Sequence, residues 1–141
     1  MSKIDDKITE HKKAYLRRYK KNIELINRLN EKLEMLNDRM ITVKSPNYSG
    51  MPRGGTPVTQ EDLISEIVEL EDRIRRLKDK SRKLKVEILS KIDEIEDSRY
   101  AEVLESYFID CKDFGLIAEE TGYTIRHIIR LYTEAINTMS I

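Results

Sequence analysis

Tryptophan is absent from these 141 residues, aromatics reach only 6%, and 37% of the chain is charged. So little bulky apolar material cannot build a large globular core along the whole length, whereas long helices solvated over most of their surface suit the composition. No apolar run approaches the roughly 20 residues needed to span a bilayer. The charged start MSKIDDK also lacks the apolar segment of a secretory signal. The expectation is a cytoplasmic protein with no membrane partner. A single cysteine, Cys111, excludes an internal disulfide and is read as a small packing residue or a loop thiol. His11 and His127 stand far apart, so no metal-ligand cluster is recognisable and neither metal nor cofactor is expected.

Helix breakers are scarce and concentrated. All three prolines and three of the five glycines fall within residues 45–58, SPNYSGMPRGGTPV, which a helix cannot cross. Before it, from Ile8 to Val43, apolar residues recur at helical spacing: Tyr15, Tyr19, Ile23, Ile26, Leu29, Leu33, Leu36, Met40 and Val43. Steps of three and four continued from Tyr19 place Asn30 and Asn37 on the seam. After it, Leu63, Ile67, Leu70, Ile74, Leu77, Ser81, Leu84, Ile88 and Ile95 repeat more regularly. Both stretches predict long amphipathic helices with a coiled-coil seam.

Two such helices around a breaker fold back most simply as an antiparallel hairpin; the alternative is separate helices that pair between subunits. Asn30, Asn37 and Ser81 either fix register as polar seam positions or sit at a seam edge in contact with water. The loop Tyr48–Gly55 is longer than a hairpin needs, and its Tyr48, Met51 and Arg53 suit either a partner anchor or simple disorder.

Net charge is zero, but Lys/Arg against Asp/Glu run 12 to 7 in residues 1–44, 10 to 12 in 45–98 and 4 to 7 in 99–141. Fold-back of the hairpin brings the basic residues near 17–21 beside those near 81–85, so Arg17, Arg18, Arg82 and Lys83 are candidate phosphate contacts. A solvated exterior laced with i,i+4 ion pairs is the competing reading.

Residues 113–133, DFGLIAEETGYTIRHIIRLYT, carry the most information. Ala118 is followed at plus four by Gly122, at plus ten by Ile128 and at plus thirteen by Leu131, with Ile117 and Tyr123 in adjacent apolar slots. Two short helices crossing steeply need a small side chain at the crossing, a residue tolerant of positive φ at the turn and apolar anchors on the second helix. That is the spacing of a helix-turn-helix. Thr124 can cap a second helix running from about Ile125 to about Met139. Upstream, Tyr100, Val103, Leu104, Tyr107 and Phe108 form one face of a covering helix. The expected fold is therefore all-α: a hairpin over residues 1–97 with its breaker at 45–58, then a three-helix module over 98–141.

RYAEVLESYFIDCKDFGLIAEETGYTIRHIIRLYTEAINTM resembles region 4 of sigma factors, which reads the −35 promoter element. Long helices, SGMPRGG and this module together are similar to phage and prophage regulators of the ArpU and RinA type. The resemblance implies a transcription regulator of phage genes acting at late promoters in the host cytoplasm. It places base-facing positions on Ile125, Arg126, Ile129 and Arg130, with Thr124, His127 and Thr133 nearby. Ile125 and Ile129 depart from the arginines that sigma factors commonly carry there. An isoleucine can still touch a thymine methyl.

The leading expectation is sequence-specific binding of double-stranded DNA by a homo-oligomer. The mild acidity of the module sustains an alternative, a coiled-coil interaction protein that holds host RNA polymerase or another protein and uses the helix-turn-helix as a packing unit. Nothing upstream of the module resembles a catalytic domain, and no enzyme is expected.

Overall fold

The computed structural model describes residues 3–44 and 59–141, all of whose regular elements are helices: α1 (Lys3–Lys44), α2 (Gln60–Asp93), α3 (Ser98–Phe108), α4 (Phe114–Thr121) and α5 (Ile125–Thr138). The fold is all-α. The breaker at 45–58, with its Tyr48–Gly55 loop, lies outside the described residues. No described helix is long and apolar enough to cross a membrane.

Helix starts follow side-chain chemistry. Thr59 Oγ1 accepts from the Asp62 backbone N–H at 3.1 Å while the Asp62 carboxylate accepts from the Thr59 N–H at 3.4 Å, a reciprocal cap that opens α2. Asp97, Asp113 and Thr124 cap α3, α4 and α5 in turn, each accepting from a backbone N–H of its own first turn.

The described chain divides into two compact units, one of residues 23–79 and one joining the N-terminal residues through Asn22 to 80–141. In the first, Ile26, Leu29, Leu36 and Met40 of α1 are buried with Leu63, Leu70 and Ile74 of α2, while Leu33, Ile67 and Leu77 are half-buried around them. The α2 positions are those of the sequence pattern. On α1 the buried positions are likewise among the apolar residues of the pattern, and of the two readings of Asn30 and Asn37 the solvent-facing one holds, with Leu29 and Leu36 buried in their stead. Burying each leucine stabilises by about 1.5–3 kcal/mol, whereas an unpartnered asparagine amide in the same place costs about 1–3 kcal/mol. The leucines therefore take the buried places and the asparagines the wet edge.

In the second unit, α1 runs antiparallel to α2, as the pairs Arg18 with Glu87 and Asn22 with Ser81 require. Leu16, Ile88 and Ile92 from these two helices enter the same core as Val103, Leu104 and Phe108 of α3, Ile117 of α4 and Ile128, Leu131 and Ile136 of α5. The three short helices are thus closed by side chains from both long ones.

Asn22 and Ser81 are the buried polar residues among those described, and the Asn22 amide donates to Ser81 Oγ at 2.6 Å. One polar layer in an apolar seam penalises any slip that separates its partners. Ser81→Ala should lower unfolding free energy by about 1–3 kcal/mol, and combining it with Asn22→Leu should recover most of that loss. Urea titration followed by circular dichroism on the single and double variants reads the coupling; additive losses would deny the pair this role.

Candidate nucleic-acid interface

The turn between α4 and α5 is built as its residues dictate. Gly122 stands at φ 80°, in the left-handed region that side chains resist, and its N–H closes α4 by donating to the Ala118 carbonyl at 2.9 Å. Space is open where a Cβ would stand, so the need for glycine here is conformational rather than steric. Thr124 is extended, and its hydroxyl accepts from the His127 backbone N–H at 3.1 Å. Ala118 is buried at the crossing, and Ile128 and Leu131 anchor α5 from its inner face. Tyr123 is exposed rather than set in an apolar slot, and its ring meets the edge of His127 with centroids 4.7 Å apart.

Behind α5, Tyr132 stacks or meets edge-on with Phe108, Tyr107 and Phe114, a cluster whose centroids lie 4.7 to 5.8 Å apart. One face of α1 covers it with cations. Lys20 lies over the Tyr107 ring at 4.7 Å, Lys13 is 6.0 Å from the Tyr132 centroid, and Arg17 hydrogen-bonds the Tyr132 side chain. Lys12 donates to the Asn137 carbonyl at 3.4 Å, near the negative end of the α5 dipole.

The outer face of α5 carries Ile125, Arg126, Ile129, Arg130 and Thr133, all exposed, with His127 half-buried beside them and Thr124 exposed at the cap. Its polar groups are unequally engaged. Arg130 meets His127 Nδ1 at 3.1 Å and Glu134 at 3.9 Å, and Glu134 in turn accepts from the Tyr100 hydroxyl at 2.7 Å. That carboxylate holds the Tyr100 hydroxyl above its ordinary pKa. Thr133 donates its hydroxyl to the Ile129 carbonyl at 2.9 Å. Arg126 makes no ion pair among the described residues. Ile125 and Ile129 are 52% and 43% exposed, large apolar side chains in the first two turns.

The other sequence-derived cations are divided. Arg18 donates to Glu87 and to the Tyr15 carbonyl and lies 4.1 Å from the Tyr15 ring centre, so it and Arg17 are engaged within the molecule. Arg82 and Lys83 are exposed on α2, in the same unit as exposed Lys21, Lys80 and Lys85. Sequence reasoning had no signal for the cation–aromatic role of Lys13 and Lys20, because each partner lies more than 80 positions away.

Cys111 is exposed on the α3–α4 turn at φ 57°, a loop thiol rather than a packing residue. Among the described residues no group of His, Cys, Asp or Glu is placed to hold a metal ion. Comparison of the chain with family models, curated proteins and solved structures gives no significant match.

Burial, with Tyr107 adding to it, pushes the Tyr132 phenol up to about 12. Folding therefore favours its protonated form, and this contribution is complete below pH 10, where an unfolded tyrosine is still neutral. It is lost as pH rises from 10 towards 12. Thermal unfolding across pH 9 to 12 should show stability falling in that window by on the order of 2 kcal/mol. Tyr132→Phe should flatten the fall, and an unchanged slope would remove Tyr132 as its source.

Proposed function

We propose that this protein is a phage transcription regulator of the ArpU and RinA type that binds double-stranded DNA sequence-specifically through the outer face of α5 and acts on late-gene promoters. The observation that carries the reading is the geometry of α4, Gly122 and α5. A short helix, a left-handed glycine and a Thr-capped second helix leave Arg126, Ile129 and Arg130 outward in the first two turns, the part of such a helix that reaches base edges. Exposed Lys80, Arg82, Lys83 and Lys85 on α2 supply sequence-independent attraction to phosphates. The regular α2 seam is buried against α1, so a dimer spanning two half-sites about one DNA turn apart uses other surfaces.

A second reading keeps host RNA polymerase or another protein as the partner but docks it on the module rather than on the coiled coil, and it is favoured by one observation. Asp113 fills the α4 N-terminus with a carboxylate, and Leu116, Glu119 and Glu120 are exposed on that helix, an apolar and acidic face unlike a phosphate contact. Fluorescence anisotropy with the full chain and random or promoter-derived duplexes separates the two: a protein-docking module retains no DNA at physiological salt.

The two arginines should differ. A bidentate arginine contact with guanine is worth roughly 1–3 kcal/mol of discrimination, so Arg126→Ala should weaken operator binding about ten- to a hundredfold and random DNA far less. Arg130→Ala should cost less, because its guanidinium already meets His127 and Glu134. Equal losses on operator and random DNA would reassign Arg126 to a phosphate. Exchanging Arg82 and Lys83 for Gln should weaken all duplexes alike and reduce the slope of log affinity against log salt by about 2; an unchanged slope would leave them as solvated surface.

A further inference from the structure

We propose that Ile125 and Ile129 read thymine 5-methyl groups, so that the operator is selected as much by apolar contact as by hydrogen bonding. The inference rests on the DNA-binding reading above and names what that face recognises. The polar groups of the face are largely committed: Thr133 to the Ile129 carbonyl, Thr124 to the His127 N–H, and Arg130 to His127 and Glu134. What stands outward and uncommitted is the Arg126 guanidinium with two isoleucines, one on each side of it along the helix. Ile125 and Ile129 are four apart, hence on one face and about 6 Å apart along the axis, close to the rise of two base pairs.

In the major groove the apolar feature is the thymine methyl, which distinguishes A·T from T·A without a hydrogen bond. A cationic residue flanked by branched aliphatic side chains matches a groove edge that offers a guanine acceptor pair beside thymine methyls. The occupant is therefore duplex DNA with thymines next to the guanine contacted by Arg126. A protein surface meeting the same isoleucines would gain nothing from that intervening guanidinium unless it placed an acceptor there.

The test begins with duplexes selected by the full-length protein from a random library. Each thymine in the selected site is then replaced singly by deoxyuridine, which removes the methyl and leaves every hydrogen-bonding group in place. One or two positions should lose about three- to fivefold in affinity, the worth of one buried methyl. Ile129→Ala or Ile125→Ala should abolish that thymine preference at its own position, whereas Arg126→Ala should keep it while losing guanine preference. Circular dichroism should be unchanged, since alanine favours an exposed helical site.

A specific site bound equally with thymine or uracil at every position would overturn the inference and leave the DNA-binding reading standing. So would thymine preference that survives in both isoleucine variants. Isoleucine variants that retain full DNA affinity but lose binding to RNA polymerase would overturn it in favour of a protein partner. If no sequence emerges from the library, the DNA-binding reading fails first and takes this inference with it.

Discussion

The burial of the inner face of α5 is the constraint on which the rest of the module depends. Ile128, Leu131, Tyr132, Ala135 and Ile136 are all removed from water, and they are covered by α3 and by Leu16, Ile88 and Ile92 of the long helices. A unit of about 40 residues has too little apolar surface to be secure alone. Recruiting side chains from α1 and α2 enlarges the core, and the outer face of α5 is presented only because the inner face is held in this way.

Charge is used twice in the same region, for opposite purposes. The cations on α1 that face the module are engaged with rings and carbonyls, where Lys20 over Tyr107 and Arg17 at Tyr132 gain from a partly dry setting. On α2, Lys80, Arg82, Lys83 and Lys85 are exposed, and Arg75 and Arg76 pair with Asp72 of their own helix. A stretch of basic residues in the sequence thus contains structural and solvent-facing members. Their separation follows from which helix face meets the aromatic cluster.

The turn and the two faces of α5 obey local rules, and that is why they could be located without a structure. Left-handed backbone at Gly122 and capping by Thr124 depend on residues within four positions of each other, as does the alternation of Ile128 and Leu131 with Arg126 and Arg130. How strongly each polar group is committed is another matter. The link from Tyr100 through Glu134 to Arg130 joins residues 34 apart, and it distinguishes two arginines that look equivalent in sequence.

From sequence alone came the all-helical class, the α2 seam, the three short helices with the Gly122 turn and the Thr124 cap between the last two, and the inner and outer faces of α5. All rest on short-range periodicity and on the backbone preferences of Gly, Pro and Thr. Tertiary structure decided between the two readings of the polar positions: Asn30 and Asn37 face solvent beside buried Leu29 and Leu36, whereas Ser81 is buried and meets Asn22. It also decided that Leu16, Ile88 and Ile92 belong to the core beneath α5, and that Arg17 and Arg18 are engaged while Lys83 stays exposed. Helical spacing on α1 leaves open whether Leu29 or Asn30, and Leu36 or Asn37, is buried. Only the opposing surface, which rewards buried leucine and penalises an unpartnered amide, chooses between them.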